Sequence, residues 1–185
     1  MIAVGKMNLI IPAAITITAI AVFFLVHPAQ KFIFVPAMVL AFICYLLTTY
    51  REMTKAERAL PIYLIALAMQ FLHFTEEYVY GFHLRIGEIM AGWPPFSANL
   101  FVAFNMIAYC LFLLGGLGMY KGMKSPMIFV WFFTIAVIVN AISHPLLALK
   151  VGGYFPGLFT SFAFWILGPV LLSRLWQREA RARVN

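Results

Sequence analysis

Residues 127–147 read MIFVWFFTIAVIVNAISHPLL, a run of 21 residues without a single charged side chain. A helix needs about 20 mostly apolar residues to cross the hydrocarbon core of a bilayer, so this run predicts a membrane-spanning helix. Turn-forming residues or charges separate it from five further apolar runs: 9–26, 32–49, 60–80, 98–119 and 155–172. The sequence therefore predicts an all-α polytopic membrane protein, a bundle of six transmembrane helices.

The composition of the whole chain supports this prediction. Of its 185 residues, 64% are hydrophobic and 10% are charged, whereas a soluble domain carries about 25% charged residues. Such a composition excludes both an ordinary soluble globule and a disordered chain. Because no long polar segment divides the chain, we expect a single transmembrane domain over residues 1–185.

Basic residues are distributed unevenly between the two sides of the predicted bundle. Ten of the 13 Lys and Arg residues lie in the two terminal segments and in the second and fourth loops, while the opposite loops hold Lys31, Arg85 and Lys150. This asymmetry predicts that both termini are cytoplasmic in a multi-pass protein of the cytoplasmic (plasma) membrane. The net charge of +7 indicates contact with anionic lipid and not with nucleic acid, since no basic tract alternates with aromatic residues.

The third apolar run carries a cluster of ionisable residues. On a helix, His73 shares a face with Glu76 at i+3 and Glu77 at i+4, with Gln70 one turn before and Tyr80 one turn after. Each charged group near the middle of a membrane costs about 2.5–3.5 kcal/mol. Solvation at the helix end and a purely structural polar network are two interpretations. We favour the third, a functional site, because ionisable residues in spans usually serve function.

Polar residues of three other runs are predicted to lie at a similar depth. His73 is about 10 Å below the outer end of its helix, at about 1.5 Å per residue. Asn105 is equally far from the outer start of the fourth span, and Asn140 and His144 share a face near the outer end of the fifth. Thr160 lies one turn inside the sixth span. The sequence therefore predicts one polar site in the outer half of the membrane.

Three motifs occur in order between residues 60 and 160. The first is His73-Phe74-Thr75-Glu76-Glu77, the second is the single residue His144, and the third is YFPGLFT at 154–160. Together they resemble the HXXEE-motif family of uncharacterised integral membrane proteins, which is described by HxxEE, a further histidine and YxPGxxT. The resemblance implies that these polar residues form a catalytic site, and it implies no particular reaction.

The residue types suit a divalent metal, with zinc as the first candidate. His73, His144 and one glutamate form a two-histidine, one-carboxylate set, which is typical of catalytic metals that keep an open coordination position. Which glutamate binds the metal stays open on spacing alone. We assign Glu77 as the ligand and Glu76 as the general base that activates water.

The third motif is predicted to support catalysis at the start of the sixth helix. Tyr154 and Thr160 could donate hydrogen bonds to a developing oxyanion. Pro156 suits a first helical turn, and Gly157 permits close approach of another group to the backbone. The free N–H groups at this end favour an anion, which predicts a lipid head group or an oxyanion there. The expected function is a membrane-embedded hydrolase acting on a lipid-like ester, amide or phosphoester.

Two other functions fit the same residues. His73 and Glu77 could act without metal as an acid/base pair, an arrangement similar in spacing only to membrane sterol isomerases of the emopamil-binding type. Intramembrane Glu and His also build the proton relays of carriers. Six spans without a repeat favour an enzyme over a carrier.

Overall fold

The structure, a computed structural model, describes residues 2–26, 31–89 and 97–176. Within these residues the chain forms helices and no strand. The helices are α1 (Ile2–Val26), α2 (Lys31–Leu47), α3 (Ala56–Val79), α4 (Phe82–Ile89), α5 (Ala98–Tyr120), α6 (Met127–Val151) and α7 (Leu158–Trp176). The all-α prediction is confirmed.

Five of these helices, α1, α3, α5, α6 and α7, are long and apolar enough to cross a membrane. Large apolar side chains such as Ile17, Leu25 and Ile166 are more than two-thirds exposed on them, as expected for surfaces that face lipid. The length and apolar composition of these helices therefore indicate an integral, multi-pass membrane protein. α2 is apolar but has 17 residues, about 26 Å at 1.5 Å per residue against a core of about 30 Å. The count of six spans and the cytoplasmic termini stay predictions.

α6 lies at the centre of the bundle, where it packs against α2, α4, α5 and α7. In its N-terminal half, Trp131, Phe133 and Val137 are fully buried. α5 approaches α6 closely because Gly115 has no side chain: a Cβ there would lie 3.0 Å from the Val130 side chain. Small residues commonly permit such close packing between membrane helices. The central position of α6 fixes the place of His144 relative to α3 and α7.

Two elements differ from the sequence prediction. The predicted third loop contains α4, a helix of eight residues, which is too short to produce a spanning pattern. Its Ile86 is buried against Phe74, Phe101 and Phe155 at one end of the bundle. The sixth span was expected to begin at residue 155 with Pro156 in its first turn, but α7 begins at Leu158 and Pro156 lies in the turn before it.

The predicted orientation can be tested by cysteine accessibility. The background protein has Cys44 and Cys110 replaced by serine. In this background, Leu84→Cys at an exposed position of α4 and Lys121→Cys directly after α5 should report opposite sides of the membrane. We expect an impermeant maleimide added to intact cells to label Leu84→Cys, and to label Lys121→Cys only after permeabilisation. The reverse pattern would overturn both the orientation and the outer position of the site.

Candidate metal centre

Two helices bring three ionisable side chains together near the same end of the bundle. α3 presents His73 and Glu77 one turn apart, and α6 presents His144. His73 lies six residues before the end of α3 and His144 seven before the end of α6, so both are about 10 Å inside their helix ends. All three are buried, with 0%, 8% and 2% of His73, Glu77 and His144 exposed.

The three side chains converge through single atoms. The two Nε2 atoms of His73 and His144 are 3.1 Å apart. Glu77 Oε1 lies 3.6 Å from His73 Nε2 and 3.3 Å from His144 Nε2. The group can hold a metal ion, since each residue offers one ligand atom and these atoms lie within 4.8 Å of one another.

Hydrogen bonds on the far side of each imidazole fix its tautomer. His144 Nδ1 lies 2.8 Å from the Pro156 carbonyl oxygen, which only accepts, so Nδ1 carries the proton. His73 Nδ1 lies 2.7 Å from Thr160 Oγ1, and that hydroxyl donates to Glu76 Oε2 at 2.5 Å. Thr160 therefore accepts from His73, whose Nδ1 is also protonated. In the neutral form of each imidazole, Nε2 then carries a lone pair, and the two Nε2 atoms face each other and the Glu77 oxygen.

Glu76 points away from these atoms and binds the start of α7. Its Oε1 accepts from the Tyr154 hydroxyl at 2.8 Å and from the Phe159 N–H at 3.1 Å. Its Oε2 accepts from the Thr160 N–H at 2.9 Å and from the Thr160 hydroxyl. Four donors and the positive end of the helix dipole favour an ionised carboxylate at this place. The anion at this helix start is thus a side chain of the protein itself.

Tyr154 remains a hydrogen-bond donor over the ordinary pH range. Burial raises the pKa of its hydroxyl well above the usual value, and the hydrogen bond to Glu76 raises it further. The Tyr154 ring also stacks on Phe159, with centroids 4.9 Å apart. Tyr154 therefore holds the first turn of α7 against α3.

Gly157 lets the two imidazoles reach the turn before α7. Its φ angle is +90°, a conformation that favours glycine. A Cβ at this position would lie 2.4 Å from the His144 ring and 2.9 Å from the His73 ring. The YxPGxxT turn thus supplies a carbonyl at Pro156, a gap at Gly157 and a hydroxyl at Thr160, all of which serve the histidines.

A cavity of about 400 Å³ lies beside the three ligand atoms. Glu77 and His144 line it, so the group is reached from this side. Its other polar lining residues are Gln70, Asn105, Asn140, Ser143 and Lys150. The Asn140 amide is 3.5 Å from Gln70 Oε1, and the Asn105 amide donates to the Phe101 carbonyl of its own helix at 2.9 Å. Most of the remaining wall is apolar.

The structure thus separates the predicted site residues into three groups. His73, Glu77 and His144 form the candidate metal centre, and Gln70, Asn105 and Asn140 line the cavity. Glu76, Tyr154, Pro156, Gly157 and Thr160 surround the histidines. Tyr80 belongs to none of them: its side chain is 56% exposed and its ring lies edge-on to Tyr154.

Two assignments from the sequence need revision. Glu76 was expected to act as a general base, but its two oxygens already accept four hydrogen bonds from the chain. The N–H groups at the start of α7 were expected to bind a head group or an oxyanion, with Tyr154 and Thr160 as further donors. The N–H groups of Phe159 and Thr160 donate to Glu76 instead, and so do the hydroxyls of Tyr154 and Thr160.

Several residues near the site were not expected from the sequence. Phe82 of α4 lies 5.7 Å from the His144 ring, and Phe164 lies edge-on to His73 at 5.1 Å. Arg85 donates to the Tyr154 carbonyl at 3.3 Å and lies over the Phe155 ring. Only the position of Arg85 in a predicted outer loop indicated a role near the site, since the phenylalanines do not differ from the other 17 in the chain.

Comparisons with known proteins identify one family. A family model described as a protein of unknown function with an HXXEE motif matches residues 64–171, more than half of the chain. The match includes His73, both glutamates, His144 and the YxPGxxT turn. No curated protein and no solved structure shows significant similarity to the chain.

Proposed function

The chain belongs to the HXXEE-motif family of proteins of unknown function, and we propose that it is a metal-dependent hydrolase embedded in the membrane. The substrate is lipid-like and is cleaved in the outer half of the bilayer. One observation carries this proposal: the Nε2 atoms of both imidazoles converge on the Glu77 carboxylate, with Oε1 within 3.6 Å of each. Three acceptors that face one another repel unless a cation or a shared proton lies between them.

The spacing of the three atoms suits a metal ion. Ligands about 2.0–2.1 Å from a tetrahedral Zn²⁺ are about 3.3–3.4 Å apart, and the observed separations run from 3.1 to 3.6 Å. Zinc-binding histidines commonly donate their second ring N–H to a carbonyl or to another fixed acceptor, as His144 does to Pro156 and His73 to Thr160. Three protein ligands are the usual number in catalytic zinc sites, which keep one position open.

Hydrolysis at this site follows from the groups that face the cavity. A divalent ion held there would polarise a substrate carbonyl and lower the pKa of a water molecule towards neutrality. Water then adds to the carbonyl carbon, and the ester or amide bond to the leaving group breaks. Glu77 Oε1 faces both imidazoles, so we assign the transfer of the proton from water to the leaving group to the second oxygen of Glu77, because Glu76 already accepts four hydrogen bonds. We assign Asn140, one turn from His144, a hydrogen bond to the substrate carbonyl oxygen.

Glu76, Tyr154, Thr160 and Gly157 serve in this proposal as positioning residues. Glu76 fixes the Thr160 hydroxyl, which orients His73, and the turn at Gly157 presents the carbonyl that orients His144. Outer partners of this kind typically contribute 10–100-fold to metal affinity. The role of the YxPGxxT pattern is then the support of two metal ligands and not contact with the substrate.

Metal content is the direct test. We expect wild-type protein, purified in mild detergent without chelator, to carry close to one zinc or similar divalent ion per chain by mass spectrometry. His73→Ala and His144→Ala should lose it, since a missing ligand costs more than the roughly 10–100-fold of an outer partner. His83→Ala is the matched control, because His83 is also buried but lies on α4 outside the three-residue group.

The same preparation distinguishes the alternatives. Wild-type protein that turns over a lipid substrate after complete removal of metal would overturn the hydrolase proposal, and a shared proton between the imidazoles would then support the acid/base isomerase. Proton-coupled uptake into vesicles without turnover would support the carrier.

A further inference from the structure

The cavity beside the candidate metal centre is elongated along the bundle. On α6, lining residues run from Phe132 through Ala136 and Asn140 to His144 and Lys150. Phe132 and His144 are 12 residues apart, which is about 18 Å along a helix. One leaflet of the hydrocarbon core is about 15 Å thick, half of about 30 Å. The lining residues on α6 are therefore spread over a distance similar to the length of the acyl chain of a membrane lipid.

The wall of the cavity near Glu77 and His144 is mixed, with polar groups beside apolar residues such as Phe82 and Leu147, whereas the far section is apolar. Its other polar groups are the amides of Asn140, Gln70 and Asn105, the Ser143 hydroxyl and the Lys150 ammonium. Ala108, Phe112, Phe132 and Ala136 form an apolar section further along. Such a wall suits an amphiphile whose ester or amide lies at the metal ligands and whose chain extends away from them.

Phenylalanine rings close the end of the cavity that is remote from the metal ligands. Phe112 and Phe132 have ring centroids 6.2 Å apart, and Phe132 also contacts Phe23 of α1. Ala108 on α5 and Ala136 on α6 lie about one helical turn closer to the metal ligands than these rings. Their small side chains leave the cavity open there. The closed end and the small residues together set how much chain can enter.

We propose that this cavity holds one acyl chain of the substrate and that Ala108, Ala136, Phe112 and Phe132 determine the chain length accepted. The proposal rests on the proposed function for the position of the ester and adds the substrate class: a single-chain acyl lipid with an uncharged polar group. A volume of about 400 Å³ lies in the lower part of the range of about 300–1,000 Å³ that small-molecule sites occupy, which fits one chain and not two. The amide-lined section favours a neutral head such as glycerol, because the Lys150 ammonium in the lining already donates to the Ile89 carbonyl at 2.8 Å.

Photolabelling tests where the chain lies, without any need for turnover. The probes are two palmitoyl glycerols, one with a diazirine on the last carbon of the chain and one with a diazirine next to the carbonyl. In nanodiscs we expect the first probe to label peptides that contain Ala108–Phe112 or Phe132–Ala136. The second should label the region of Asn140 and Ser143. Identical labelling by both probes, or labelling confined to lipid-facing residues, would overturn the proposal.

Ala136→Phe tests the length limit, with Ile142→Phe on the exposed face of the same helix as its control. Competition with unlabelled octanoyl, lauroyl and palmitoyl glycerol gives the relative affinities. Each buried methylene contributes roughly fourfold to affinity, so exclusion of a few carbons should weaken palmitoyl binding more than about tenfold. Octanoyl binding should change little, and Ile142→Phe should leave the whole series unchanged. If Ala136→Phe does not fold, Ala108→Leu makes the same test from α5.

These results and those for the hydrolase proposal can be told apart. Ordered labelling with a length limit, but without glycerol release, would uphold the acyl-chain site and overturn the assigned reaction. Metal-dependent release of glycerol whose dependence on chain length is the same in wild type and in Ala136→Phe would uphold the reaction and overturn the acyl-chain site.

Discussion

Replacing Gly157 with alanine should strongly weaken metal binding and lower the melting temperature of the protein. The new Cβ would lie 2.4 Å from the His144 ring and 2.9 Å from the His73 ring, distances that require the imidazoles or the start of α7 to move. We expect the metal affinity to fall by about 100-fold or more, the upper end of the effect of an outer partner. Metal titration with a chromophoric chelator measures this affinity.

Gly152→Ala separates this crowding from simple backbone strain. Gly152 also has a positive φ, +70°, but nothing lies within 4 Å of its Cβ position. Both variants therefore carry the roughly 1–2 kcal/mol cost of a left-handed alanine, and only Gly157→Ala adds the collision. Equal effects of the two variants on metal affinity would show that the close approach at Gly157 does not support the histidines.

Glu76→Gln and Glu77→Gln should have different effects on the stability of the metal-free protein. Glu76→Gln removes one acceptor oxygen and places an amide donor opposite donors of α7. Hydrogen bonds to charged groups contribute about 1.5–3 kcal/mol each, so loss of two should cost about 3 kcal/mol or more. We expect a large drop in melting temperature that is present even with chelator.

Glu77→Gln should leave the metal-free protein as stable as wild type or more stable. Its amide can donate to an imidazole Nε2, where the carboxylate could only face another lone pair. Metal binding should nevertheless be lost, because a neutral amide is a far weaker ligand than a carboxylate. Thermal melting with and without zinc measures both effects. A chelator-treated Glu77→Gln protein that melts as early as Glu76→Gln would contradict the division of roles between the glutamates.

Helical periodicity accounts for much of what could be predicted about the site. Because His73 and Glu77 are four residues apart in an apolar run, they had to share a face, and depth arguments placed His144 near them. The difference between the glutamates could not be predicted in this way. Glu76 is turned about 100° from Glu77, and only the packing of α7 against α3 shows that this direction leads to Tyr154 and Thr160.

Features that arise from tertiary packing could not be predicted from the sequence. α4 is too short and too mixed in composition to be distinguished from a loop, and the cavity is a gap between helices that no local pattern records. The start of α7 was predicted three residues early because Tyr154 and Phe155 extend the apolar run. The helix itself begins only after Gly157, where the backbone turns to meet the histidines. The catalytic roles of all these residues stay predictions.

The hydrogen bonds of Glu76 also have a consequence for how the protein is made. Thr160 follows Glu76 by 84 residues, so at roughly 5–20 residues per second its donors leave the ribosome about 4–17 seconds after the carboxylate. During this interval α3, the least apolar of the five long helices, holds Glu76 without the donors that stabilise its carboxylate. Arrival of α7 is then the step that supplies these donors, and a nascent chain stalled before it presents an unassembled helix to the membrane quality-control machinery.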